Sequence, residues 1–255
     1  MRLLETRKLK KYFGETRAVD NVDFVVNEGE FLSLVGTNGA GKTSLVNLIT
    51  AYLRPDSGVI TFSGQDITHV SVNERIRAGI ARSFQIVNLF DDLSAFDNVA
   101  LAIFSRERKT KNLFSLAEHD KAVTDEAMDV LAQFGLDDMA KTRAGGLAQG
   151  ERKLLDVAIA YALRPKLLFL DEPTSGVSTR NKAQIMDTVS NVVRSGHITA
   201  VVIEHDMDVV FKYSDRIVVM HEGGMLADGT PDEIRRNQDV ATYLLGQPIG
   251  NEKAH

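Results

Sequence analysis

The 255-residue chain contains no cysteine and no tryptophan, five prolines, and no excess of positive charge. Without cysteine there is no disulfide framework, no thiolate metal site and no cysteine nucleophile, and the composition suits a reducing compartment. Thirty Lys and Arg against 35 Asp and Glu give a formal net charge of -5. No overall positive field is available to collect phosphate backbones, so nucleic acid is not expected as a partner. Long apolar runs are missing too: the longest, residues 157–163, has seven residues, against the ~18 to 20 that span a bilayer. The first eight residues, Met1-Arg2-Leu3-Leu4-Glu5-Thr6-Arg7-Lys8, break up their apolar positions with charge and lack the apolar stretch of a secretory signal. The expectation is a cytoplasmic protein whose membrane association, if any, runs through a partner. With 44% hydrophobic and 25% charged residues, the chain can bury a sizeable core as one domain, or one domain with an attached lobe.

Periodicity divides the chain. Strand-like segments at 3–9, 19–26 and 31–35 precede a Gly-rich turn, and 42–51 then reads as a helix. Arg54-Pro55-Asp56-Ser57-Gly58 is a turn before a strand at 59–62. Between about residues 90 and 163 the apolar spacing becomes three and four, at 95–104, 120–134 and 151–163, which predicts a helical subdomain. Its basic run Arg106-Glu107-Arg108-Lys109-Thr110-Lys111 reads as a solvated loop. After Arg164-Pro165, strands at 167–171, 198–204 and 216–220 with a helix at 179–194 imply a largely parallel sheet. Glu222-Gly223-Gly224 suits a hairpin turn, and Pro231-Asp232-Glu233-Ile234 opens a short helix with proline in its first turn.

Two stretches carry chemistry. Gly36-Thr37-Asn38-Gly39-Ala40-Gly41-Lys42-Thr43 fits the phosphate-loop pattern G-x-x-x-x-G-K-[ST], in its required place after a strand and at the opening of a helix. Glycines let backbone amides curl around phosphates, and the dipole of the following helix, which continues through Ser44, favours negative charge. Lys42 is expected to reach the β- and γ-phosphate oxygens of a nucleotide, and the Thr43 hydroxyl to supply one oxygen to Mg²⁺. Leu167-Leu168-Phe169-Leu170-Asp171-Glu172-Pro173 is an apolar strand ending in two acids, of which Asp171 suits the Mg²⁺ shell and Glu172 the activation of attacking water. Alone, such an acidic pair is as readily a helix cap; downstream of a phosphate loop the catalytic reading is favoured.

Across almost its full length the chain resembles the ATP-binding cassette (ABC) proteins, the nucleotide-hydrolysing subunits of membrane transporters. The resemblance implies an α/β fold: a P-loop NTPase cassette with a RecA-like parallel-sheet core, an antiparallel β subdomain and a helical subdomain. Residues 1–255 would form a single ATPase domain, with 1–86 and 164–255 as catalytic core and 87–163 as helical subdomain. Phe13 in Tyr12-Phe13-Gly14 resembles the aromatic that stacks on adenine. Gln85 in Arg82-Ser83-Phe84-Gln85 resembles the Q-loop glutamine, a further Mg²⁺ or water ligand, and His205 in Ile203-Glu204-His205-Asp206 resembles the switch histidine that meets the γ-phosphate. Each alone has an ordinary structural explanation; their joint order carries the resemblance. A GTPase reading fails, because Asn181-Lys182-Ala183-Gln184 ends in the wrong residue for guanine.

The family's signature, close to Leu-Ser-Gly-Gly-Gln, is only partly matched by Leu147-Ala148-Gln149-Gly150-Glu151, which lacks the serine hydroxyl aimed at the γ-phosphate of a partner cassette. Ser178 stands where the family's D-loop has aspartate. The resemblance therefore leaves open a homodimer that hydrolyses slowly, and a heterodimer with a paralogous cassette in which this chain is a weakly hydrolysing half-site. Within the family, Gly79-Ile80-Ala81-Arg82-Ser83-Phe84-Gln85 with Asn88-Leu89-Phe90, Glu204-His205-Asp206-Met207-Asp208-Val209-Val210, and Asp228-Gly229-Thr230-Pro231-Asp232-Glu233-Ile234 with Tyr243-Leu244-Leu245-Gly246 look most like branched-chain amino-acid importers. Urea and amide importers have similar cassettes, and DNA-repair or translation ABC proteins are a remote alternative. The resemblance implies two membrane permease subunits, a second cassette and an extracytoplasmic substrate-binding protein. Phe90, Leu93 and Phe96 are either an apolar groove for a permease helix or part of the core of the helical lobe.

Overall fold

In a computed structural model, which describes residues 1–83, 89–108 and 120–244, the chain separates by its internal contacts into two units, residues 1–72 with 201–255 and residues 73–200. In the first unit, β1 (Arg2–Phe13) and β2 (Thr16–Asn27) form a long antiparallel pair, and β4 (Ser57–Phe62) and the short β5 (Gln65–Asp66) complete a sheet ordered β2-β1-β4-β5. Leu4 sits opposite Val26 and Phe62, and Thr6 opposite Phe24 and Ile60, so the inward positions of three strands meet on one face. Register shifts flank Lys8, whose φ is 47° and whose N–H is taken by the Asp23 carboxylate at 2.7 Å. This bulge carries β1 past residue 9, where the apolar alternation stops being visible.

The same unit holds β3 (Phe31–Gly36), parallel to β9 (Arg216–His221), with β10 (Gly224–Gly229) antiparallel to β9 and, from residue 201 onward, β8 (Thr199–Ile203) next after β3 in strand order. All six residues of β3 are buried, as expected for a parallel strand covered on both faces. Helices α1 (Lys42–Ile49), α7 (Met207–Tyr213), α8 (Pro231–Arg236) and α9 (Gln238–Tyr243) belong here. Val35, Val210, Ile217, Val219, Ile234 and Val240 pack into one cluster, which fixes α8 and α9 against the sheet. Proline at the start of α8 and a Thr230–Glu233 capping box close its N-terminus.

The second unit contains α2 (Val72–Ala78), the three-residue β6 (Ile80–Arg82), parallel to β7 (Leu167–Asp171), and helices α3 (Ala95–Arg106), α4 (Lys121–Gln133), α5 (Gln149–Ala162) and α6 (Thr179–Ser195). A Ser94–Asp97 capping box starts α3, and Asp120 caps α4. Arg106, read in the sequence as part of a solvated loop, is instead the last residue of α3 and half-buried. Its guanidinium forks onto both oxygens of Glu126 in α4 at 2.7 Å and donates to the Ala162 carbonyl at the end of α5, while Arg164 donates to Glu126 at 3.0 Å. Lys109, Thr110 and Lys111 lie outside the described residues. Among the described residues no helix is long and apolar enough to cross a membrane.

The hydrogen bonds from Arg106, more than the nearby charges, hold the Glu126 carboxyl below its ordinary 4.5. A depressed native pKa contributes stability above the unfolded value and loses it as pH falls through the native one. Glu126→Gln is expected to lower unfolding free energy at pH 7 by about 1 kcal/mol, since the group keeps contact with water. The deficit should shrink below about pH 4.5 and vanish in stronger acid, as read by urea denaturation across pH.

Candidate functional site

The phosphate loop is built by β3 and α1. Residues 37–39 are exposed, while Gly36 and Ala40 on either side are buried. Gly41 closes the loop with φ 102°, and a Cβ there would run into the carbonyl oxygen of Ala18. A side chain at this position is excluded both by backbone conformation and by close approach. The first turn of α1 has neither a side-chain cap nor an acidic residue, so its amides and its positive dipole end are not compensated from within the helix. Lys42 is buried, and its Nζ folds back to donate to the carbonyls of Gly36 at 2.7 Å and Thr37 at 3.0 Å. The ammonium therefore lies within the curve of the loop, where it brings positive charge to the loop's inner side. Thr43 is exposed one residue further on, and Ser44 is half-buried.

Two more predicted residues lie in this unit. Phe13 ends β1 and is 50% exposed, so it is not core filling; Lys11 Nζ lies 5.6 Å from its ring centroid. His205 follows β8 at an exposed bend, its N–H donating to the buried Glu204 at 3.2 Å, and Asp206 then caps α7.

The predicted carboxylates lie in the second unit. Asp171 ends β7, buried, with its Oδ2 accepting from Arg82 Nη2 of β6 at 2.7 Å, leaving Oδ1 for another ligand. Both side chains are removed from water, so either alone would leave a costly buried charge. Glu172 is half-buried with φ 49°, a left-handed conformation uncommon for a residue other than glycine. Its carbonyl accepts from Ser175 N–H at 3.1 Å and from the buried Lys153 Nζ of α5 at 3.3 Å. Arg82 and Lys153 are positioning residues that the sequence reading did not single out. Arg82 carried a signal in lying three residues before Gln85; Lys153, inside an amphipathic helix, carried none. Gln85 itself lies outside the described residues.

The stretch 147–151 opens α5. Leu147 is buried, Ala148 and Gln149 exposed, Gly150 and Glu151 half-buried. Ala148 occupies the N-cap without an acceptor side chain, and Glu151 reaches back to accept from Ala148 N–H at 2.7 Å, so half of a capping box is present. Gln149 packs against Gly176 of the turn after Glu172, where a Cβ would overlap its amide. Ser178 caps α6 without a side-chain hydrogen bond. Phe90 is exposed, whereas Leu93 and Phe96 are half-buried.

The ABC transporter family profile matches residues 19–175, which span the phosphate loop, the signature stretch and the Asp171-Glu172 pair. The chain belongs to the ABC transporter family. The cassette is 34% identical over 251 residues to the high-affinity branched-chain amino acid transport ATP-binding protein BraF of Pseudomonas aeruginosa, covering 96% of this chain and 98% of that one. It is equally 34% identical over 253 residues to the LivG protein of the same description from Escherichia coli K12, with the same coverage. Among solved structures, the ADP conformation of an ATP-binding cassette of an ABC transporter matches with TM-score 0.84 and 30% identity over 97% of this chain and 100% of that one. A nucleotide-free ATP-binding cassette from an ABC transporter matches with TM-score 0.82 and 29% identity over 99% and 98%. The fold is thus that of a P-loop ABC cassette, with parallel and antiparallel sheets and helices. The cassette's uncapped α5 generates a test: Ala148→Ser completes the capping box, and chemical denaturation should show a gain of about 0.5 to 2 kcal/mol.

Proposed function

We propose that this chain is the ATP-binding and ATP-hydrolysing subunit of an ABC importer for branched-chain amino acids. The observation that carries the ATPase reading is Lys42 folded into a loop whose helix start has no internal counter-charge. The importer reading is supported by 34% identity to BraF and LivG across nearly the whole length of both. In this reading Phe13 stacks on adenine, the amides of residues 36–44 bind the phosphates, and Lys42 stabilises charge on the transferring phosphoryl group. Mg²⁺ supplies positive charge to the phosphate oxygens; Thr43, Gln85 and Asp171 offer the hard oxygen donors it prefers. Glu172 orients the attacking water and takes its proton, and His205 hydrogen-bonds the γ-phosphate. Residues 1–86 and 164–255 act as catalytic core and 87–163 as the helical subdomain.

The signature residues 147–151 serve a second cassette, two permease subunits receive the motion, and a binding protein outside delivers the solute. The chain then sits on the inner face of the cell membrane through its permease. Ala148 and Ser178 favour one refinement: the site this chain offers its partner is the weaker one, and a paralogous cassette supplies the better signature in return.

Hydrolysis of Mg·ATP by the purified chain, measured across protein concentration, tests the reading. A rate per chain that climbs with concentration, and falls about a hundredfold or more in Glu172→Gln while ATP still binds, is the expected result for a self-pairing cassette. ATP binding with negligible turnover at every concentration would point to the heterodimer, and no ATP binding would refute the proposal. Ala148→Ser should raise turnover about tenfold or more, because a hydrogen bond to a charged phosphate is worth about 1.5 to 3 kcal/mol. An unchanged or lower rate would show that Ala148 does not limit the site.

A further inference from the structure

The phosphate loop is gripped from outside by the turn between β9 and β10. Gly223 N–H donates to the carbonyl of Ala40 at 3.0 Å, and Asp20 N–H donates to the carbonyl of Gly223 at 2.8 Å. Ala40 is buried, so its carbonyl needs such a partner within the protein. The approach is backbone to backbone. A Cβ on Gly223 would run into the carbonyl oxygen of Arg17 and come within 3.3 Å of Ala18, and a Cβ on Gly41 would come within 3.3 Å of the Gly223 Cα. Gly223 also has φ 77°, where L side chains are strained. Three segments distant in sequence, the loop at 40–41, β2 at 17–18 and the turn at 223, meet with no side chain between them.

A trans peptide is planar, so the carbonyl of Ala40 and the N–H of Gly41 point in opposite directions. Fixing the carbonyl onto Gly223 fixes the Gly41 N–H away from the hairpin. We propose that Gly223 is a positioning residue for nucleotide binding: it sets the rotation of the Ala40–Gly41 peptide and so presents the Gly41 N–H to a phosphate oxygen. An amide held in place beforehand needs no reorganisation when the anion arrives. The inference rests on reading residues 36–43 as the nucleotide loop, and it assigns a role to a residue about 180 positions beyond that motif, read in the sequence only as part of a hairpin turn.

Gly223→Ala and Gly64→Ala form a matched pair. Gly64, in the turn between β4 and β5, has φ 79° but open space where its Cβ would stand. Both substitutions impose a similar backbone strain, and only the first disturbs Ala40. In the protein free of nucleotide, amide hydrogen exchange over residues 37–45 should run about tenfold faster in Gly223→Ala than in the parent and be unchanged in Gly64→Ala. ATP affinity should fall by a similar factor in the first variant alone. Unaltered exchange in 37–45, or the same acceleration in Gly64→Ala, would overturn the proposal. If Gly223→Ala does not fold, the parent decides: the amides of Gly223 and of residues 41–45 should open with one shared dependence on denaturant, and independent openings would overturn it. Failure of the parent to bind ATP would refute the nucleotide reading, while the exchange data would still decide whether the turn holds the loop.

Discussion

A loop that binds phosphate with its main chain cannot use those amides to hold itself together. Ordinary loops hydrogen-bond internally or to water, whereas in the proposed reading this one, apart from Ala40 N–H donating to the Thr37 carbonyl at 3.1 Å, keeps its donors for phosphate and still keeps a fixed shape. The support therefore comes from its neighbours. The fully buried β3 delivers the chain to Gly36, α1 carries it away from Lys42, and the Lys42 ammonium draws the carbonyls of Gly36 and Thr37 together. On the outside, Ala18 and Gly223 press on Gly41 closely enough to forbid a side chain. The antiparallel β1–β2 pair and the β9–β10 hairpin thus contribute to the geometry of a motif that neither contains.

The second unit handles charge by the opposite strategy. Asp171 is buried and neutralised by Arg82, and the carbonyl of the half-buried Glu172, whose φ is 49°, is held by Ser175 N–H and Lys153 Nζ. The Arg106–Glu126–Arg164 cluster joins α3, α4 and the end of α5, so these three helices are tied by charge as well as by packing. At the start of α5, only Glu151 closes the N-terminus, and Ala148 leaves an unfilled cap that coincides with the missing family hydroxyl.

Most strands and long helices were legible because burial writes a period into the sequence: 31–35, 167–171 and 216–220 read as apolar runs, and 120–134 and 179–194 as helices. The missed elements have too few residues for a period. Ile80–Arg82 presents two apolar residues, Met207–Tyr213 is two turns long, and Val72–Ala78 buries an arginine rather than an apolar face. β1 continues to Phe13 through Lys10 and Lys11, where a bulge at Lys8 breaks the alternation. The phosphate loop and the Asp171-Glu172 pair were readable because their chemistry fixes local spacing. Arg82 and Lys153 were not, because they act across a strand pair or from a helix face, and no local pattern records that.

Backbone amide NMR of the isotopically labelled chain, titrated with ATP in the presence of Mg²⁺, addresses the central claim at the atoms concerned. The largest shifts are expected at the amides of Gly39, Gly41, Lys42, Thr43 and Ser44, saturating together as one site fills. Binding that leaves those amides unmoved, or shifts that concentrate elsewhere in the chain, would contradict the claim that residues 36–44 form a main-chain phosphate site.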